Sequence, residues 1–371
     1  MRSRLRRGSV GTAAGVSLAL LLAACGGSST SGAGASNAAT QGASSGATGG
    51  SETIAQLKPA ALKEGQVTWY TTFSSDDVAP MVKAFNKDYP NIKVNPLRLS
   101  ADKIPPRILT EQKAGQNKAD VVSGDSTQVF QLVHAGALAP FSPPDEAPLP
   151  SDLNMPKGYQ GVVYMNTTVP AWNPQTLQRL GLQPPKTWTD FTNPKWKGHF
   201  SVDPEAVNLY QSWIAQMGHD KAKQLITAIG NNNPKLVTSH TLALTQVEGG
   251  EPAATVTAYG YKAASEKKKN PGKIEFANTT PLPTHLTLID LVKNAPHPNA
   301  GKLFIDWMES TDGQTAVEDI TNHTSLRDDV NNDKTVWDPS KWQPVWADPT
   351  ITPDKYNQLA QEWRQALHAT G

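Results

Sequence analysis

Beyond residue 60, short apolar runs alternate with amphipathic stretches. Val67-Thr68-Trp69-Tyr70-Thr71-Thr72-Phe73 is rich in β-branched and aromatic residues and predicts a strand. Ser74-Ser75-Asp76-Asp77 then reads as a helix start, and Val78, Met81, Val82 and Phe85 recur at i, i+3, i+4 and i+7. Ile92 to Leu97 predicts a second strand, Ile108 to Gln116 a polar helix, and Ala119-Asp120-Val121-Val122 a short third strand. The last runs through Ser123-Gly124-Asp125-Ser126 into a helix carrying Phe130 and Val133, closed at Gly136. Strands alternating with helices predict an α/β domain with a mainly parallel sheet.

The middle of the chain breaks this rhythm. Pro-rich segments at 140–156 and 170–185 read as connections or a boundary, with a strand at Gly161 to Met165 between them. Asn193 to Gly198 reads as a loop. Helices are predicted at Leu209–Met217 and Lys221–Ile229, and Ser239-His240-Thr241 caps another. Ala253 to Thr257 is a strand ending at Tyr259-Gly260-Tyr261. Near the end, Ala300, Leu303, Phe304, Trp307 and Met308 form one apolar stripe. Tyr356, Leu359, Trp363 and Leu367 form another, after the helix start Thr352-Pro353. Packing accounts for these stripes in full.

The N-terminus follows other rules. Arg2, Arg4, Arg6 and Arg7 precede an uncharged, largely apolar stretch that ends in Leu22-Ala23-Ala24-Cys25. This is the layout of a secretory signal peptide, and the tetrad resembles a bacterial lipobox with Cys25 as the lipidated residue. Residues 26–52 are almost only Gly, Ser, Ala and Thr, too polar and too small to bury a core, and read as a disordered tether with a reach of roughly 30 Å.

Charge and composition then exclude whole classes. The 371 residues carry a formal charge of +1, and loss of the four N-terminal Arg makes it −3, so neither nucleic acid nor an anionic surface is implied as a partner. Cys25 is the single Cys, which excludes a disulfide framework and a thiolate metal site within the chain. No zinc-protease, nucleophile-elbow, phosphate-loop or dinucleotide-binding motif is present. The eight His are scattered, and His240 stands out for its place in a helix-start loop. The expectation is a binding protein rather than an enzyme, without a cofactor.

One local design recurs: hydroxyl residues at the end of a strand or at the start of a helix. It occurs at Thr72, Ser74 and Ser75, at Ser123-Gly124-Asp125-Ser126, where Gly124 and Asp125 lie between two serines, and at Ser239 and Thr241. Read singly, each is a helix cap. Read together, they describe loops converging on a cleft at the carboxyl edge of a sheet, with free N–H groups at positive helix ends. Tyr259, Tyr261 or Trp69 would add a stacking face.

The ordered set of segments resembles the solute-binding proteins of ABC importers, in the branch that includes ferric-iron-binding proteins. The resemblance is carried by Val67–Phe85, Ala119–Val122, Ala135–Pro140, Pro194–Gly198, Lys235–Val247, Ala295–Pro298, Lys302–Trp307 and Leu326–Val330. It implies a two-lobe periplasmic-binding-protein fold of type 2, with two hinge strands, near Val163–Val169 and Thr280–Thr284, and a cleft between lobes. The implied division is 1–25 signal peptide, 26–52 tether, 53–167 with 282–325 as lobe 1, and 168–281 with 326–371 as lobe 2. It implies an extracytoplasmic, lipid-anchored monomer that passes a small solute to a membrane permease.

Iron-binding members use a His and an acidic residue from lobe 1 and two adjacent Tyr from lobe 2. Here Ser74 stands in the His position, Asp125 in the acidic one and Tyr259 in that of the first Tyr, while Gly260 replaces the second. Tyr261, two residues on along an extended chain, would face the same way as Tyr259. An iron set would thus be Asp125, Tyr259 and Tyr261, thin for a cation that prefers several hard anionic oxygens. The expected ligand is a small polar organic molecule with an anionic group. Ferric iron is the alternative, and a lipoprotein that senses its ligand without transporting it is a third reading.

Overall fold

The computed structural model describes residues 53–153 and 155–369. The expected signal peptide, Cys25 and the expected tether lie outside the described residues.

In chain order the elements are α1 Ile54–Glu64, β1 Gln66–Thr71, α2 Ser75–Asp88, β2 Lys93–Arg98, α3 Ile104–Lys113, β3 Val121–Asp125, α4 Ser126–His134 and β4 Leu138–Ala139. The middle contributes β5 Val162–Trp172, α5 Pro174–Leu180, β6 Phe200–Val202, α6 Val207–Met217, α7 His219–Asn231, β7 Lys235–Leu236, α8 His240–Glu248, β8 Ala254–Tyr259, α9 Gly260–Lys269 and β9 Glu275–Phe276. The last third adds β10 Leu282–Val292, α10 Pro298–Glu309, α11 Thr311–Thr321, β11 Pro344–Trp346 and α12 Pro353–Ala366.

The main strand order is β2-β1-β3-β10-β5-β8-β6-β7. The pairs β1–β2, β1–β3, β6–β7 and β6–β8 are parallel, whereas β10 runs antiparallel to both β3 and β5. Strand β5 serves both halves: Val162–Thr167 pair with β10, and Thr168–Trp172 pair with β8. Every residue of β5 and β10 is buried. Long strands covered on both faces carry no polar alternation at their surface, so their sequence does not announce them.

Two large apolar clusters flank the β5–β10 pair. On one side Trp69, Phe85, Phe304 and Trp307 interlock between α2 and α10, with ring centroids 5.0–5.3 Å apart for the Trp69–Phe304, Phe85–Phe304 and Phe85–Trp307 pairs. On the other, Tyr210, Trp213 and Trp363 join α6 to α12. Full burial of one such side chain is worth about 1.5–3 kcal/mol.

Helix α1, which no apolar stripe announces, is held by reciprocal capping of Thr53 and Gln56 and ends at Gly65, with φ 70°. Pro170 does not break its segment: it lies within β5 at a register shift between Val169 and Ala171, where a missing N–H costs no ladder bond. Strand β3 begins two residues later than its pattern predicts and extends through Asp125, so Gly124 and Asp125 end a strand rather than form a loop.

Candidate ligand cleft

The cleft follows from the period of two along β5 and β10. Tyr164, Asn166 and Thr168 stand on one face of β5, His285 and Thr287 on one face of β10, and all five line a cavity of about 820 Å³. The walls rise from both sides of this floor. Thr72, Ser74, Asp77, Arg98, Asp125 and Gln128 come from the side of β1–β3, and Glu205, Asn208, His240, Thr241, Tyr259 and Tyr261 from the side of β6 and β8. His323, Tyr356 and Arg364 come from the last 50 residues.

Of the residues singled out in the sequence, Thr72, Ser74, Asp125, Thr241, Tyr259 and Tyr261 thus share one cavity. Ser75, Gly124 and Ser239 are not among its lining residues. Ser75 opens α2, Gly124 faces the side chains of Thr72, Ile104 and Val129, and Ser239 caps α8, its Oγ accepting from Leu242 N while its own N donates to Asp203 Oδ2 at 3.0 Å. Trp69 offers no stacking face: it is fully buried, with Nε1 donating to Ser123 Oγ at 2.9 Å. His285 and His323 also line the cavity, although neither stands in a recognisable motif. The alternation Tyr164-x-Asn166-x-Thr168 was the available signal, hidden because β5 has no exposed residue.

Asp125 is the polar hub. It caps α4 by accepting from Thr127 N at 3.0 Å, and its Oδ2 accepts from Asn208 Nδ2 at 2.7 Å, linking α4 to α6. His285 Nε2 lies 3.6 Å from the same Oδ2. Burial pushes the His285 pKa down more than the nearby carboxylate lifts it, so the imidazole is neutral at pH 7. Asp77 accepts from Ser74 Oγ at 2.7 Å, and Glu205 is bound by both nitrogens of an Arg364 fork. Arg98 is the cation in the lining that makes no ion pair or hydrogen bond to any described residue.

An aromatic stack runs along the floor. Tyr164 and Tyr261 each lie 3.8 Å, centroid to centroid, from His323, Tyr261 is 5.9 Å from Tyr259, and Tyr259 is 4.1 Å from His240. Burial raises the phenol pKa of Tyr164, Tyr259 and Tyr261. The expected geometry of the two tyrosines is corrected: Tyr259 ends β8, but Tyr261 is in the first turn of α9 rather than on an extended strand. Gly260 between them has no room for a side chain, since a Cβ there would stand 2.2 Å from Thr167 Oγ. Two adjacent tyrosines do not fit this backbone. Among the described residues no group of three His, Cys, Asp or Glu is arranged to hold a metal ion.

A two-sided α/β body around a polar cleft, built on two long shared strands, defines the binding-protein class. The model of the bacterial extracellular solute-binding protein family matches residues 70–315, and the chain belongs to that family. The family is one of binding proteins rather than enzymes. No curated protein sequence matches the chain. Among solved structures it is similar to the periplasmic binding protein AfuA from Actinobacillus pleuropneumoniae with exogenous fructose-6-phosphate bound, with TM-score 0.73 and 21% identity over 82% of this chain and 99% of that one. It is also similar to the substrate-binding protein of an ABC transporter from Agrobacterium tumefaciens, with TM-score 0.70 and 18% identity over 84% and 97%. Iron-bound HitA from Pseudomonas aeruginosa follows, with TM-score 0.67 and 20% identity over 81% and 99%. At these identities the likeness concerns the fold, which is the type 2 binding-protein fold expected from the sequence. Among the described residues no helix is long and apolar enough to cross a membrane.

Proposed function

We propose that this chain is the lipid-anchored, monomeric capture component of an ABC importer. It would take a small polar organic solute with an anionic group into the cleft and present it to a membrane permease. The observation that carries the ligand class is the lining itself. Arg98, with no ion-pair partner among the described residues, stands in the same wall as the Thr72 hydroxyl, a set suited to a phosphoryl or carboxylate group, while Ser74 gives its own proton to Asp77. Asp125, Asn166 and neutral His285 suit hydroxyl or amine groups of the same molecule. AfuA, whose structure holds fructose-6-phosphate, supports a solute of this kind.

In this reading residues 53–167 with 282–325 form one lobe and 168–281 with 326–371 the other, and β5 and β10 are the hinge. A solute touching both lobes stabilises their closed arrangement, and that arrangement is what the permease recognises. Cys25 carries the lipid, and residues 26–52 tether the body to the membrane.

Ferric iron is the second reading, favoured by the neighbouring rings of Tyr259 and Tyr261 and by the iron-bound HitA structure. One point weighs against it: burial makes both phenols harder to ionise.

The test is native mass spectrometry with metal analysis on the chain purified from its membrane without refolding. An organic mass bound one to one supports the solute reading. One equivalent of iron replaces it with the ferric one. A chain that arrives bare and then binds neither fructose 6-phosphate, 2-aminoethylphosphonate nor ferric citrate argues against capture altogether.

A further inference from the structure

We propose that His323 imposes a donor requirement on the solute. Its Nε2 is an orientationally fixed hydrogen-bond acceptor that takes an N–H or O–H group of the captured molecule. The inference rests on the capture reading above and deepens it.

The tautomer follows from one hydroxyl proton. Thr321 Oγ donates its single proton to the Val317 carbonyl oxygen at 2.6 Å, one turn back in α11. A carbonyl oxygen only accepts, so that proton is committed. Thr321 Oγ also lies 2.7 Å from His323 Nδ1 and 3.1 Å from the His323 backbone N. With its proton spent, the hydroxyl can only accept from both. Nδ1 therefore carries the imidazole proton, and Nε2 has a bare lone pair.

The ring cannot turn to hide that lone pair. Tyr164 stacks on one side at 3.8 Å and an interplanar angle of 20°, and Tyr261 lies against it at 3.8 Å and 31°. A ring flip would break the Thr321 bond. The residue is 7% exposed and lines the cleft, and its Nε2 makes no hydrogen bond to any described residue. Protonation offers no escape, because burial holds the pKa down to about 3. Nε2 faces the cleft, where water satisfies it until a solute displaces that water, so a solute that brings a donor to it is favoured over one that brings an acceptor or a methyl group.

The test uses the full chain labelled with ¹⁵N-histidine, its His323 resonances assigned by comparison with His323→Phe. Phe keeps the ring between the two tyrosines and removes both nitrogens. The expected spectrum shows a protonated Nδ1 and a bare Nε2 from pH 7 to 5. Addition of whichever of fructose 6-phosphate, 2-aminoethylphosphonate or ferric citrate binds is expected to move Nε2 toward the hydrogen-bonded range. His323→Phe is expected to bind that compound about 10-fold or more weakly, with its fold checked by thermal unfolding.

A proton found on Nε2 overturns the proposal whatever the solute. So does an Nε2 signal unmoved by a compound whose binding is seen in tryptophan fluorescence, and in that case capture itself still stands. Should none of the three compounds bind, the capture reading falls and this inference falls with it.

Discussion

Asn208 Nδ2 donates to Asp125 Oδ2 at 2.7 Å, joining the start of α6 to the start of α4 directly across the cleft. The bond connects helices that pack into different apolar clusters, so it couples the two walls without any solute between them. Asn208→Asp would set a second carboxylate against Asp125, a repulsion of about 1–4 kcal/mol at this range in partly wet surroundings. The expected result is a larger radius of gyration by small-angle X-ray scattering and at least tenfold weaker solute binding. Scattering and affinity identical to the parent would show that the contact does not hold the walls together.

Gly260 should tolerate nothing larger than hydrogen. Gly260→Ala drives a methyl group into Thr167 Oγ, and overpacking of this kind costs about 1–3 kcal/mol. Thr167→Ala removes the main obstructing atom and leaves the Thr167 Cβ at 3.6 Å, an ordinary contact, and Val336 Cγ1 at 3.3 Å, which must give by a few tenths of an ångström. The double variant is therefore expected to recover most of the urea midpoint lost by Gly260→Ala. Additive losses would mean that the clash lies elsewhere.

The buried histidines make stability depend on acid. His285 and His323 have depressed pKa values in the fold, that of His323 at about 3, because burial disfavours the imidazolium. Below about pH 6.5 the unfolded chain binds protons that the native chain refuses, so stability falls with decreasing pH from there toward pH 3. Urea midpoints at pH 7 and pH 5 should differ less in His323→Phe than in the parent. An unchanged difference would remove His323 from the account.

Two carboxyl groups act in the opposite direction. Glu309 and Asp290 are buried, Oδ2 of Asp290 has no hydrogen-bond partner, and burial raises both pKa values well above the usual range, more than the backbone N–H groups near Glu309 lower its own. The native chain holds these protons to higher pH than the unfolded chain does. Stability contributed by the protonated forms is present below about pH 4 and is lost as the pH rises. Glu309→Gln cannot ionise. Its advantage over the parent should be small at pH 5 and grow by pH 8, measured by urea unfolding at each pH.

Helix α12 braces the far wall through Trp363, which is fully buried and donates Nε1–H to the Asp203 carbonyl oxygen at 3.0 Å. Trp363→Ala should cost about 3–5 kcal/mol. Trp363→Phe should cost less in stability while still loosening the segment that carries Glu205 and Asn208. Calorimetry that finds less than 1 kcal/mol for the Ala variant would mean that α12 is not integral to the core.

The sequence announced what repeats locally. The stripe Val78, Met81, Val82, Phe85 is α2, and Thr352-Pro353 is the start of α12, because amphipathic period and cap chemistry are written in neighbouring residues. It did not announce β10, whose eleven residues are buried on both faces, and with β10 it concealed His285 and Thr287. Arg364 and His323 were out of reach for another reason: they arrive in the cleft by tertiary packing of segments that carry no local mark of a site. The converging loops were legible as chemistry but not as geometry. Ser239 shows the difference, since its hydroxyl turned out to be spent on capping α8.

The cavity draws its walls from Thr72 at one end of the chain and from Arg364 near the other. A polypeptide that emerges from its N-terminus thus forms this cavity in pieces, and the last piece is a helix of 14 residues. Until that helix docks, the wall lacks Tyr356 and Arg364, so the cavity is completed by the same step that completes the core around Trp363.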